Sequence, residues 1–234
     1  MKKKWNYGEK LIHVKSVEDL NKVREIDQEL YKRVFLILDK DLHFGLNKFE
    51  PIDASNMDVI IRGNNHMMTD IYVKKENEME VGLFSKTKNF QIFDVSCLTG
   101  FVKGGSCVGT LVGSVDGDAL VSNVKYNGFA YGESHCGTLF GTTKRLTICS
   151  SDILGRVGAR DVVGGAVGMC DEVKLVDSTV LPLFDEVEGK IKGKVAGFVS
   201  KDREKETLRM LAATLPYLEP KPTIEEEYIF GLRR

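Results

Sequence analysis

A short glycine-containing theme returns at almost constant intervals along this chain. The copies read VGLF at 81–84, VGTLVG at 108–113, CGTLFG at 136–141 and VGGAVG at 163–168. Their first glycines are 27, 28 and 27 residues apart, and a weaker fifth copy is expected at 195–200. An internal period of about 20 to 50 residues indicates one supersecondary unit stacked on copies of itself. The sequence therefore predicts a solenoid.

Two further positions keep the same period, which indicates three short segments per unit. Branched apolar residues follow each theme at a fixed distance: Ile92, Leu120, Ile148 and Leu175. A third register contains Gly100, Gly128 and Gly155. The segments are rich in Val, Ile and Phe and alternate between apolar and polar residues, as half-buried strands do. Glycines between them supply the positive φ or the close backbone approach that a sharp corner needs. We therefore predict an all-β solenoid, a right-handed parallel β-helix with about 27 to 28 residues per coil.

These repeats resemble the GLUG motif family, whose consensus runs close to VGGLVG followed by an apolar–polar strand and GxVxG. The preceding segments at 12–20 (IHVKSVEDL) and 36–42 (LILDKDL) are also similar to the helix start and the strand that precede such repeats. The resemblance covers about residues 10 to 200. It implies a right-handed β-helix of bacterial, often surface, proteins that serves as a spacer or adhesive module. It implies no enzymatic activity.

Non-repetitive segments bracket the coils and are expected to cap them. Ser16 followed by Asp19 is typical of a helix N-terminus, and Leu20 and Val23 continue at helical spacing, which predicts a helix at about 17–32. A second helix is expected at about 200–214. Helical caps at both ends would cover the open strand edges of a solenoid. The predicted organisation is 1–35 (strand and capping helix), 36–200 (β-helix) and 201–234 (helix and extended tail), all in one structural body.

The C-terminal tail combines two prolines, the acidic run at 225–227 and an apolar cluster. Tyr228, Ile229 and Phe230 are the members of this cluster that we expect to contact other protein surfaces. Either the segment lies back along the coils as a strap, or it docks on a partner.

Composition excludes several functions. The 234 residues include 33 basic and 34 acidic ones, a balance that argues against a nucleic-acid-binding groove. No apolar run approaches the 18 residues of a membrane span. The N-terminus has the basic start of a signal peptide without its apolar core, so we expect a cytoplasmic protein, or an extracellular or surface one if a signal peptide was removed. Five cysteines without Cys-x-x-Cys spacing are expected to be buried, small apolar residues, and favour a reducing compartment.

Catalytic and metal-binding signals are weak. The four histidines are scattered, no metal-ligand spacing occurs, and no cofactor is expected. One alternative involves Asp94, Asp152 and Asp177, which recur near equivalent positions of different coils. Carbohydrate-cleaving enzymes use carboxylates about 5 to 9 Å apart, so these three could form such a site. The preferred interpretation is a solvated strand surface.

Two function classes follow. The first is a non-catalytic protein-binding or scaffold module, for example a phage or mobile-element inhibitor of a host enzyme, with a protein partner and with a homo-oligomer left open. Arg145, Arg156 and Arg160 crowd the middle coils and form its predicted interaction patch. The second class binds or cleaves a polysaccharide. Only Phe101 and Phe129 coincide in register among the aromatic residues, and both are expected to be buried beside corner glycines. The lack of surface aromatic platforms therefore favours the first class.

Overall fold

A computed structural model of the chain describes residues 8–45, 48–184 and 191–199. These residues form a β-solenoid of about 7 turns with about 27 residues per turn, and this confirms the predicted fold class and period. All the strand pairs are parallel, as expected when equivalent strands of successive coils lie side by side. The predicted C-terminal helix at 200–214 and the tail lie outside the described residues.

The described strands follow one another in a fixed order along the chain. They are β1 (Glu9–Val14), β2 (Arg33–Leu38), β3 (Leu42–His43), β4 (Ile52–Arg62), β5 (Met67–Lys75), β6 (Glu80–Val81), β7 (Phe84–Gly104), β8 (Cys107–Val108), β9 (Val112–Val115), β10 (Asp118–Tyr131), β11 (His135–Gly137), β12 (Phe140–Cys149), β13 (Asp152–Gly158), β14 (Val162–Gly164), β15 (Val167–Val176), β16 (Thr179–Phe184), β17 (Ile191–Gly193) and β18 (Ala196–Val199). The short strands β6, β8, β11, β14 and β17 form one sheet, and the other thirteen form a second, larger sheet.

Each middle coil contains a short strand followed by two longer ones. In one coil these are β11, β12 and β13, and in the next they are β14, β15 and β16. Every member of the first set pairs with its counterpart in the second. Three strands per period are therefore confirmed.

The strand registers confirm most of the sequence alignment and correct it at two places. Gly128 pairs with Gly100 and Gly155, as predicted. The residue in register with Ile92 and Ile148 is Val121, because Val121 points into the core whereas Leu120 is half-buried on the other side of the strand. In the fifth copy Gly193 pairs with Gly164, so that copy begins before the predicted 195–200.

The theme glycines serve close backbone approach. A Cβ on Gly109 would meet the backbone of Leu139 and Phe140 in the next coil, and a Cβ on Gly137 would meet the backbone of Val167. Positive φ occurs at another corner, which lies within β7 and β10 in two coils and between the two longer strands in the next two, and at residues other than glycine. The residues at this corner are Asp94, Asn123, Ser150 and Asp177, with φ between 45° and 54°.

Aromatic rings fill the interior of the middle coils. The rings of Phe84, Phe90 and Phe140 are fully buried. The ring centroid of Phe90 is 5.9 Å from that of Phe84 and 5.8 Å from that of Phe140. The buried hydroxyl of Tyr126 forms a 2.7 Å hydrogen bond with Thr110, which satisfies a polar group that would otherwise be costly to bury. Burial of each large ring stabilises the fold by about 1.5 to 3 kcal/mol.

The predicted α-helix at 17–32 is wrong in type and length. The structure has a 3₁₀ helix at Val17–Glu25, which buries Leu20 and Val23 completely. Ile26 is extended and ends the helix, and the Asp27 carboxylate accepts hydrogen bonds from the backbone amides of Glu29 and Leu30, which turns the chain. The chain must turn there because β1 and β2 pair directly. β1 is the N-terminal strand predicted within 1–35. Because β1 pairs with β2 and β2 pairs with β4, β1 belongs to the large sheet.

Candidate interaction surface

One side of the solenoid is formed by β5, the second halves of β7 and β10, β13 and β16. Its outward side chains are rich in apolar and aromatic residues and form columns that run from coil to coil. One column contains Tyr72, Phe101, Phe129, Arg156 and Leu183. A neighbouring column contains Thr99, Asn127, Leu154 and Leu181, and a third contains Lys74, Lys103 and Tyr131. A fourth, polar column contains Lys125, Asp152 and Thr179. These four columns are called the apolar face below.

Four of the large apolar side chains of this face are open to solvent. The exposed fractions are 41% for Phe129, 40% for Leu154, 41% for Leu181 and 61% for Leu183. Scattered exposed apolar residues are normal on protein surfaces, but here they lie on three adjacent coils and form a contiguous patch. Such a patch is typical of an interaction surface.

The prediction that Phe101 and Phe129 are buried is wrong for Phe129 and only half right for Phe101. Phe101 is half-buried and Phe129 exposed, because Val102 and Ala130 are the inward residues of the same strands. Side chains alternate along a strand, so both phenylalanines point outward. The sequence contained a signal for this, since the equivalent position in the next coil holds Arg156.

Three of the four aromatic rings of the face pack against one another in successive coils. The rings of Tyr72 and Phe101 are 5.7 Å apart at an interplanar angle of 25°, and those of Phe101 and Tyr131 are 5.9 Å apart at 40°. Offset stacking of this kind stabilises neighbouring coils. The stacking also covers the ring faces on which a bound sugar would have to stack.

The apolar face is small. A seven-residue strand spans about 23 Å, and five coils at about 4.8 Å each span about 24 Å, so the face covers about 550 Å². A standard protein–protein interface buries about 800 Å² on each partner. The face is therefore matched to a short segment better than to a large globular surface.

The charges in the exposed half of the face are mainly positive. Lys125 and Arg156 are exposed there beside one carboxylate, Asp152. A partner segment that carries acidic residues next to apolar ones would complement this half in both charge and polarity.

The three predicted arginines lie on different sides of the coil. Arg145 lies on β12 and binds the Asp118 carboxylate through two hydrogen bonds of 2.7 and 2.5 Å. Arg156 lies on the apolar face, and Arg160 lies at the corner after β13, 3.9 Å from Glu133. Of the predicted patch, Arg156 is the member that the apolar face includes. Tyr228, Ile229 and Phe230 lie outside the described residues.

The three candidate catalytic carboxylates do not form one cluster. Asp94 and Asp177 occupy the left-handed corner three coils apart, a separation of about 14 Å. Asp152 lies beyond this corner at the start of β13 and pairs in register with Thr179. Asp94 accepts a 2.8 Å hydrogen bond from the side chain of Asn123. Asp94 is therefore too far from Asp177 to form a carboxylate pair with it, and its hydrogen bond to Asn123 stabilises the corner.

One thiol and one imidazole are neighbours on the small sheet. Cys107 pairs in register with His135. Burial raises the pKa of the Cys107 thiol and lowers the pKa of the His135 imidazole, so both groups are neutral near pH 7. A nucleophilic cysteine needs a lowered pKa. This pair therefore lacks the activation expected of a catalytic dyad.

The other histidines bind single partners near the N-terminal coils. The Nδ1 atoms of His13 and His66 are each 3.0 Å from a carboxylate oxygen, of Asp39 and Asp41 respectively. Within residues 8–45, 48–184 and 191–199, no three His, Cys, Asp or Glu side chains are placed to hold a metal ion. In the same ranges no helix is long and apolar enough to cross a membrane.

Two surface grooves flank the 3₁₀ helix. The larger, about 680 Å³, is lined by residues that include Lys10, Lys22, Asp19 and Asp27. The smaller, about 400 Å³, lies between the helix start and β3. Both positive and negative side chains line the larger groove, so it presents no single charge to a ligand.

No protein-family model, no curated protein and no solved structure matches this chain. The resemblance to the GLUG motif family therefore stays a prediction.

Proposed function

We propose that the protein is a non-catalytic protein-binding module whose apolar face binds a short segment of a partner protein. The observation that carries the proposal is the exposure of Phe129, Leu154, Leu181 and Leu183 on three adjacent coils. Burying these side chains against a partner would remove apolar surface from water, which is the main favourable term in protein association.

The partner segment is expected to combine apolar or aromatic side chains with neighbouring carboxylates. Leucines and a phenylalanine on the face provide the apolar contact, and Lys125 and Arg156 provide the positive charge. The area of about 550 Å² suits a segment of roughly seven to nine extended residues, each of which advances about 3.3 Å. Segments of this kind commonly dock on sheets and grooves of folded modules.

The alternative function, polysaccharide binding or cleavage, has less support. Asp94 and Asp177 are about 14 Å apart along one corner, and the rings of Tyr72 and Phe101 cover each other's faces.

Selection of peptides on the 234-residue chain tests the proposal. Random twelve-residue peptides displayed on phage are selected on the unmodified chain and on a variant with Tyr228→Ala, Ile229→Ala and Phe230→Ala, in which those tail residues cannot compete. We expect acidic–apolar peptides to be enriched. Their affinity, measured by fluorescence polarisation, should fall by tenfold or more in a variant with Leu154→Lys and Leu183→Lys, which loses two apolar contacts and adds desolvation cost.

A matched control places the same charge on an exposed leucine outside the face. Leu30 is 56% exposed in the turn before β2, and Leu30→Lys should leave peptide affinity unchanged. Equal thermal midpoints for the variants show that folding is retained, because the substituted side chains are on the surface. The proposal is wrong if no peptide is enriched on either form, or if enriched peptides bind the lysine variant as tightly as the unmodified chain.

A further inference from the structure

We infer that the chain's own segment 224–234 occupies the apolar face in cis, so that a partner binds by displacing it. This inference rests on the proposed function, because it assigns a competitor to the same surface. Four observations carry it: the position of the exposed leucines, the place where the described chain ends, the composition of the segment and its length.

The exposed part of the face lies at the C-terminal end of the solenoid. Tyr72 and Phe101, in the earlier coils, are half-buried and packed against each other. The most exposed member, Leu183 at 61%, lies on β16, which is the last strand of this side in the described sheet. The surface that most needs a cover is therefore at the end from which the chain continues.

The chain that follows is long enough to reach every part of the face. The described residues end at Val199 in β18, and residues 200–234 follow. The 24 residues between Val199 and Ile224 could span up to about 80 Å if extended, several times the 23 Å width of the face. A nine-residue segment such as 224–232 spans about 30 Å when extended, close to that width.

The composition of the segment matches the face. Residues 224–234 read IEEEYIFGLRR, with three adjacent glutamates beside Tyr228, Ile229 and Phe230. These apolar side chains can cover Leu154 and Leu183, and the glutamates can approach Lys125 and Arg156. The segment thus has the acidic–apolar chemistry that the face selects.

Docking on the face is favoured over strand addition at the edge of β16. Pro182 lies in the middle of β16 and has no backbone N–H to donate to an added strand. The face offers side-chain contacts that do not depend on that amide. A second copy of the chain is less suited to the face, because about 550 Å² is below the area of a standard interface.

Binding of the segment in trans tests the inference on the 234-residue chain and its variants. A fluorescent peptide of residues 222–234 is titrated into the unmodified chain and into the variant with Tyr228→Ala, Ile229→Ala and Phe230→Ala. A tethered segment has an effective concentration of about 1 mM. A peptide with a Kd near 100 µM should therefore bind the unmodified chain about tenfold more weakly than the tail variant. Adding Leu154→Lys and Leu183→Lys to the tail variant should remove binding, and adding Leu30→Lys should not.

Each outcome separates this inference from the proposed function. Equal affinity of the peptide for the unmodified chain and the tail variant would show that the segment does not occupy the face in cis. Failure of the peptide to bind the tail variant, while the phage-selected peptides bind it through Leu154 and Leu183, would overturn the inference and leave the proposed function standing. If the selected peptides also ignore the lysine substitutions, both ideas fail.

Discussion

The side-chain amide of Asn123 donates a 2.8 Å hydrogen bond to the carboxylate of Asp94, and both residues have a left-handed backbone with φ of 54°. They occupy the same corner in successive coils, Asp94 within β7 and Asn123 within β10. Asparagine and aspartate tolerate this conformation better than other residues with a Cβ, because their short polar side chains bond locally. The corner therefore explains why short polar residues recur with the period of the coil.

Substitution of Asn123 tests this explanation. Asn123→Val should destabilise the fold by about 1 to 3 kcal/mol, because a β-branched residue is strained at positive φ. Asn123→Gly should remain within about 1 kcal/mol of the parent, because glycine relieves the backbone strain while it loses the bond to Asp94. Urea unfolding measures both. Equal losses for the two variants would assign the stability to the hydrogen bond and not to the backbone.

A glycine of the repeated theme should be sensitive for a different reason. Gly137→Ala places a Cβ against the backbone of Phe140 and Val167, which cannot move without shifting a strand. We expect a loss of about 1 to 3 kcal/mol, measured by chemical unfolding. In the control Gly132→Ala the nearest atom is a side-chain methyl of Val108 at 2.8 Å, so the loss should be smaller. A Gly137→Ala protein as stable as its parent would contradict the close approach.

The capping carboxylate of the 3₁₀ helix should make stability depend on pH in acid. The bond from Lys22, with help from the Lys15 amide, lowers the pKa of Asp19 from 3.8 to about 2. Because the folded pKa is below the unfolded one, the stabilisation is complete above pH 4 and is lost as the pH falls to about 2. Asp19→Asn should lower the free energy of unfolding by about 1 kcal/mol at pH 7. It should also weaken the dependence of that free energy on pH between pH 4 and 2.

Glu25→Gln, at the exposed last residue of the same helix, is the matched control and should keep the acid dependence of the parent. If Asp19→Asn leaves the slope between pH 4 and 2 unchanged, another carboxylate is responsible for it.

The repeat period predicted the architecture because coil stacking requires one inward residue to lie over another. Val81, Val108, Cys136 and Val163 are buried at equivalent positions, and any such solenoid needs this spacing. The register of Leu120 was misjudged by one residue, since a leucine next to a valine is equally apolar on either side of a strand. Only pairing with the neighbouring coils selects Val121 as the inward residue.

The type and length of the N-terminal helix and the exposure of the apolar face could not be predicted from the sequence. The physical reasons differ from the one that applies to Leu120. Periodicity at 17–32 favoured an α-helix, but direct pairing of β1 with β2 requires the chain to return after Glu25. Glycine neighbours suggested burial of Phe129, yet the alternation of the strand turns it outward. The exposed leucines at 154, 181 and 183 followed the same alternation, with Ile153 and Val180 inward.

Buried thiols should make the fold sensitive to alkali. Burial raises the pKa of the Cys136 thiol far above its usual value of 9.0 and the pKa of Cys170 to about 12. Each folded thiol keeps its proton where the unfolded one loses it, so the stability is intact below pH 9 and falls as the pH rises above it. The expected slope is about 1.4 kcal/mol per pH unit for each such thiol.

Cys136→Val isolates one of these contributions. Cys136 pairs in register with Val108 and Val163, so valine fits the same inward position and should change stability at pH 7 by less than about 1.5 kcal/mol. Between pH 9 and 11 the unfolding free energy of the variant should fall less steeply with pH than that of the parent, and the difference should equal the contribution of one thiol. Urea unfolding at each pH measures this difference. In the native parent, Cys136 and Cys170 should also resist alkylation at pH 8, whereas the half-buried Cys97 and Cys149 should react faster. An unchanged alkaline slope in Cys136→Val, or rapid native alkylation of Cys136, would show that this thiol is not protected by the coils.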